Sequence, residues 1–285
     1  MSAVDLLILL LVALLSFGLA YVGASVGLVL GQLRLPALVY WLASPVAGAA
    51  TSLAISTVGA LVGAIRHARS GRVSMRLILT IGAPSAVAAF VSARFAAELD
   101  PLLVKSAIGV ALLVTSAFML RKSSVSSPDK SDDKGSADQT HAKTSKPEPA
   151  PAPAPAVDAD ADPPRGRWPI EVVVGAVLGA VAGLVGLLMG TLRLPIMLQL
   201  GTGPARAIGT NLAIGCITGI FAGVATVMEG SIDWLAFAVV TPMTMLGAYL
   251  GASATGRMRQ QTLRTLIAVS LVVIGLWMLW DGVGG

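Results

Sequence analysis

Long apolar runs alternate with short polar connections along most of this 285-residue chain. Runs of the length that crosses a bilayer as a helix, about 20 residues, fall at 4–24, 46–65, 75–97, 102–120, 170–189, 205–228, 234–255 and 262–280. Few charges interrupt them, and Gly and Ala are frequent beside Leu and Val, a mixture that lets helices approach closely in lipid. A transmembrane β-barrel would alternate apolar and polar positions over segments of about ten residues, and no such segments occur. The pattern therefore predicts an all-α polytopic membrane protein. Its first run, VDLLILLLVALLSFGLA, lacks a basic leader and has a counterpart later in the chain, so it is expected to be a retained helix and not a cleaved signal.

Composition agrees, with 55% hydrophobic and 12% charged residues and a mean hydropathy of +0.81. One stretch departs from it. Residues 121–167 are rich in Ser, Asp, Lys, Pro and Ala and end in PEPAPAPAPAVDADADPP, which cannot bury a core and favours extended conformers. This stretch is expected to be a disordered cytoplasmic linker between a first membrane repeat, 1–120, and a second, 168–285. Its eight basic and eight acidic residues cancel, so the net charge of +5 belongs to the membrane portion.

The flanking halves are copies. At a constant offset of 159, LRLPALVYWLASPVAGAATSLAIS aligns without a gap with LRLPIMLQLGTGPARAIGTNLAIG. The two share LRLP, a later proline (Pro45, Pro204) and T-x-L-A-I, and prolines kept at matched spacing mark a duplication. Charge then predicts orientation. The connection at 66–76 carries Arg66, Arg69, Arg72 and Arg76, whereas that at 94–105 sets Arg94 and Lys105 against Glu98 and Asp100. In the second half 226–233 carries only Glu229 and Asp233, and 253–264 carries Arg257, Arg259 and Arg264. Short cytoplasmic loops collect Lys and Arg, so equivalent loops are expected on opposite faces and the repeats are expected to be inverted.

Inversion across a cytoplasmic linker needs an odd number of crossings per half, about five, and four obvious spans leave one to find. The remaining segment is YVGASVGLVLGQLRLPALVYWLAS, with a counterpart at about 180–203. Gly31 and Pro36 are expected to break it into two short helical pieces. Irregular backbone at membrane depth must be buried in protein or line a cavity, and matched interrupted segments point to a transporter's binding site.

Candidate chemistry concentrates there. Arg34 and Arg193 occupy equivalent positions inside apolar stretches, where an arginine costs about 2.5–3.5 kcal/mol on insertion scales. Each either snorkels to a headgroup or awaits an anion that its planar fork can hold. Pro36, Pro195, Pro45 and Pro204 are placed where helices start, and helix starts favour anions. Thr51 and Ser52, and Thr210 and Asn211, are small polar pairs at matching positions that either bond substrate oxygens or tie helices together. Gln32 and Gln199 are weaker candidates, each lacking an equivalent.

Other chemistry has little to work with. The spans carry no His and no Asp or Glu at depth, which argues against an acid–base enzyme, a proton relay or a metal site. No phosphate-cradling glycine motif is present, no cofactor is expected, and nothing in the pattern suggests nucleic acid. The lone cysteine, Cys216, lies in an apolar run and is expected to pack, while His67 and His141 are expected to be solvated in polar connections.

The ordered pattern of a glycine-bearing interrupted segment, proline, then A/G-T-S/N-L and two further spans, repeated after a linker, resembles the TauE/SafE sulfite exporter family. GLVGLLMGTLRLPIMLQLGTGPARAIGTNLAIG carries the likeness most closely. The first half differs, with GLVLGQLRLP and Ala50-Thr51-Ser52 where Gly-Thr-Ser is common in the family. The resemblance implies a non-enzymatic secondary transporter of the cell membrane that exports sulfite or a small organosulfonate anion by alternating access. Transport or import of another sulfur-containing anion, and a non-transporting scaffold or sensor, stay open as alternatives, as does oligomerisation. The expected binding residues are Arg34, Arg193, Thr51, Ser52, Thr210, Asn211, Gln32 and Gln199, and the expected partners are a small anion and the lipid bilayer.

Overall fold

The computed structural model describes residues 3–124, 165–253 and 260–283, and among them the regular structure is helical throughout. The first half contains α1 (Ala3–Val26), a 3₁₀ turn at Leu30–Leu33, α2 (Leu35–Trp41) and α3 (Pro45–Arg69). It continues with α4 (Met75–Leu77), a π-helical turn at Ile78–Gly82, α5 (Ala83–Ala96) and α6 (Pro101–Ser124). The second half contains α7 (Trp168–Val185), α8 (Gly190–Gln199), α9 (Pro204–Met228), α10 (Trp234–Ser253) and α11 (Gln260–Val283). Seven of these helical stretches are long and apolar enough to cross a membrane. The body of the expected linker, 125–164, and Arg257 and Arg259 of the expected basic loop lie outside the described residues, as does His141.

The break in each half is not where Gly31 and Pro36 predict it. α1 runs on to Val26 and stops at Gly27, φ +73°, while α7 stops at Gly186, φ +72°. Both glycines hold the left-handed conformation that costs any L side chain about 1–2 kcal/mol, and each is also pressed against the opposite half. A Cβ on Gly27 would collide with Ile208, and one on Gly186 with Ala49. Gly31 instead sits inside the 3₁₀ turn, and Pro36 in the first turn of α2, where its missing N–H costs nothing. Pro195 is the sixth residue of α8 and not at its start, so one internal backbone bond is absent. Burial of Leu194 and Met197 holds that helix in place.

Contacts between the halves come in exchanged pairs. Gly27 meets Ile208 as Gly186 meets Ala49, and in each pair the residues are swapped for their counterparts 159 positions away. Likewise α1 packs on α10, and α5, the counterpart of α10, packs on α7, the counterpart of α1. Exchange of this kind is the contact pattern of a two-fold relation. The counterparts α3 and α9 pack directly on each other and run antiparallel, since Gly63 touches Leu212 while Gly219 touches Thr57. α6 and α11 do the same, with Gly109 on Gly275 and Leu279 and the Ser116 hydroxyl donating to the Ala268 carbonyl at 2.9 Å. Small residues set these distances: Gly175, Gly179 and Gly183 of α7 lie against the backbone of Ile81 and Ser85 and the carbonyl of Ala89.

Candidate functional site

The short helices run beside α3 and α9, the two most enclosed spans. The chain from Gly31 to Val39 descends antiparallel to α3, with Gly31 against Ser56, Arg34 against Ser52 and Val39 against Gly48. Ser52 and Ser56 are the eighth and twelfth residues of the 25-residue α3, so at 1.5 Å per residue the Arg34 guanidinium lies about halfway along it. It does not snorkel. Arg34 is 1% exposed and Arg193 0%.

Arg34 donates from Nη1 to Ser16 Oγ at 3.3 Å and from Nη2 to the Ser52 carbonyl at 3.0 Å and Ser56 Oγ at 2.9 Å. Its Nε–H makes no bond within the protein. Arg193 donates only from Nη2, to Ser85 Oγ at 3.4 Å, and its Nε and Nη1 have no partner. Ser85 Oγ also bonds Thr218 Oγ1 at 2.9 Å. Both cations are thus fully desolvated, under-bonded and without a carboxylate, since the ion pairs found among the described residues are Arg76 with Glu171 and Arg94 with Glu229. A buried charge without a counter-ion is costly to keep. The two guanidinium groups share no hydrogen-bond partner: Arg34 is bonded within its own half, whereas Arg193 reaches across to Ser85 of the first half.

A cavity adjoins Arg34, lined among others by Ser16, Ala24, Leu28, Ser56, Leu212 and Thr244. It has about 20 Å³ of space open to the centre of a water molecule, room for one or two waters. Between the two short helices, Thr191 Oγ1 donates to Gln32 Oε1 at 3.4 Å, and these residues are repeat counterparts. Counterparts in contact lie where the two halves meet, and Gln32 Nε2 is buried there without a partner. Asn211 donates from Nδ2 to the carbonyls of Gly27 at 2.9 Å and Gly190 at 3.1 Å, clamping both chain breaks, and leaves Oδ1 unpartnered. Ser52 Oγ donates to the Gly31 carbonyl at 3.4 Å.

Thr51 and Thr210 are both fully buried, and their hydroxyls bind backbone. Thr51 Oγ1 accepts from the Asp233 N–H, and Thr210 Oγ1 from the Ser74 N–H, each at 2.9 Å. These form another exchanged pair, in which each threonine secures the start of a helix of the opposite half. Gln199 is exposed at the end of α8 and does not join the buried group. His67, expected in solvent, is 3% exposed because α3 continues to Arg69 and carries it inward. Glu171, at the start of α7, is fully buried against Arg76 at 2.9 Å.

Sequence reasoning missed Ser16, Ser56, Ser85, Thr218 and Thr191. Ser56 carried a signal, being one helical turn beyond Ser52 on the same face of α3. Ser16 and Ser85 lie 18 and 108 positions from their arginines and carried none.

Comparison with known proteins adds the family. The chain is 24% identical over 231 residues to the probable membrane transporter protein YdhB of Bacillus subtilis (strain 168), covering 81% of this chain and 83% of that one. It is also 24% identical over 94 residues to the probable membrane transporter protein YunE of the same organism, covering 33% of this chain and 34% of the relative's length. No solved structure matches at a significant level. The family described as Sulfite exporter TauE/SafE matches from residue 9 to residue 278, through both halves with their short helices and buried arginines. This multi-pass membrane protein belongs to the TauE/SafE family of membrane transporters.

Proposed function

We propose that the protein exports sulfite or a small organosulfonate by alternating access between two inverted halves. One observation carries the reading: two arginines at equivalent positions are wholly buried near mid-helix, with free N–H donors and no carboxylate partner among the described residues. An oxyanion supplies both the missing charge and the missing acceptors. Ser16, Ser52 and Ser56 surround the first arginine and Ser85 and Thr218 the second, Gln32 meets Thr191 between the short helices, and Asn211 holds the two chain breaks that bring those helices in. Thr51 and Thr210 serve by fastening each half to the other at the positions that must hold while the short helices rock. The antiparallel packing of α3 on α9 and of α6 on α11 supports the inverted arrangement, because counterparts related by an axis in the membrane plane run in opposite directions.

Efflux of an anion from a negative interior gains about 2.3 kcal/mol per charge per 100 mV, which drives export without a proton relay in the spans. The test is uptake of radiolabelled sulfite into proteoliposomes, with taurine, sulfoacetate, thiosulfate and sulfate as competitors. Uptake is expected to be faster into vesicles held inside-positive and to be lost in Arg34→Lys, which keeps the charge but not the fork. Uptake indifferent to both potential and substitution would exclude electrogenic anion movement through this site.

A further inference from the structure

Another cavity lies at the end of α9 that is remote from the 66–76 loop, and the residues that line it include Ala49, Ala50, Gly183, Gly186, Thr226 and Ser231. Shifted by 159, these become Ile208, Gly209, Ala24, Gly27, His67 and Arg72. The six counterparts are gathered in the same way at the other end. Gly27 packs on Ile208, Gly209 packs on the His67 Cβ and the Arg72 carbonyl, and a His67 ring N–H donates to the Ala24 carbonyl. Ala24 also lines the cavity that reaches Arg34. His67 thus touches a residue of that cavity's lining; it is 3% exposed, and its Nε2 is unpartnered.

The two ends are built from counterpart residues of different chemistry. Where one offers the hydroxyls of Thr226 and Ser231, the other offers an imidazole and a guanidinium, with Arg66 beside them. Resting on the reading of the chain as an anion carrier, we propose that His67 and Arg72 form an anion-receiving mouth that collects a small sulfonate or similar oxyanion at the basic face and passes it to Arg34. The Thr226–Ser231 mouth is its neutral exit. A cationic mouth concentrates anions before binding and a neutral one does not retain them, which gives the transporter a preferred direction of capture.

Thiol labelling in vesicles tests this without any transported substrate. In a Cys216→Ser background, His67→Cys and Thr226→Cys are each reacted with an anionic reagent, 2-sulfonatoethyl methanethiosulfonate, and with its cationic trimethylammonium analogue, applied to one face at a time. Rates are normalised to those of each reagent with free glutathione. His67→Cys is expected to react from the basic face at least about threefold faster with the anionic reagent, as local potential dictates. Adding Arg72→Gln is expected to reduce that preference, and Thr226→Cys is expected to react from the other face with a ratio near one. A ratio at or below one for His67→Cys, or reactivity from neither face, overturns the proposal. Arg72→Cys supplies the same readout if His67→Cys fails to purify as a monodisperse species. Sulfite uptake is measured separately: absent uptake with the labelling preference intact removes the assigned substrate and leaves the mouth, and normal uptake without the preference does the reverse.

Discussion

Replacing Arg193 by methionine is expected to stabilise the protein while abolishing its function. Arg193 is completely buried, and only one of its five N–H donors is bonded, at the long distance of 3.4 Å. The acceptor, Ser85 Oγ, keeps its bond to Thr218 when the guanidinium is gone. The substitution thus forfeits one neutral-acceptor bond, about 1 kcal/mol, and relieves an intramembrane cation whose insertion costs about 2.5–3.5 kcal/mol. Methionine is flexible enough to fill the space. The net gain is roughly 1–3 kcal/mol, or about 2–5 °C in melting temperature for a chain of this size. The wild type, in contrast, recovers about 2.7 kcal/mol when an anion is present at 100 times its dissociation constant. Thermal unfolding in detergent, with and without sulfite, reads both effects. The variant is expected to melt above the anion-free wild type, to show no anion-dependent rise, and to transport nothing in proteoliposomes. A variant that melts below the wild type and still transports would refute the argument that Arg193 is held unpaired for a ligand.

Two further predictions concern what holds the site. Thr210→Val leaves the Ser74 N–H, in a fully buried bond, without its acceptor, and is expected to cost about 1–3 kcal/mol. Thr51→Val, whose Asp233 partner is only part-buried, is expected to cost less, and melting curves of the two variants order them. At the start of α7, Arg76→Met strands the wholly buried Glu171 carboxylate and is expected to cost about 3–5 kcal/mol. Glu171→Gln, which removes the buried charge itself and leaves Arg76 23% exposed, is expected to be milder. Equal melting temperatures for those two variants would place the ion pair in water.

Much of the architecture was legible because its signals are local. Each span is announced by about twenty apolar residues, and the observed helices fall on the expected runs to within a few residues at most ends. The paired LRLP motifs pointed to Arg34 and Arg193, since an arginine inside such a run has no inexpensive explanation. The break at Gly27 and Gly186 was harder to read, because many glycines here serve close packing, and only backbone geometry separates those that turn the chain from those that do not.

Most partnership was not legible. In water an amphipathic stripe reveals which face of a helix turns inward, but lipid is as apolar as the protein interior, so these helices carry no such mark. Ser16 and Ser85 could not be assigned to the arginines, nor Thr51 and Thr210 to the opposite half's backbone, nor Gln199 to the exterior, until rotation about each helix axis was known. The amino-acid order by itself determined that the chain crosses a membrane, that it is one unit made twice, and that each copy carries an arginine with no partner in its own stretch. Only the folded arrangement decided which groups meet those arginines. Transfer into lipid depends on the composition of a segment, while contact depends on how segments from both copies turn toward one another.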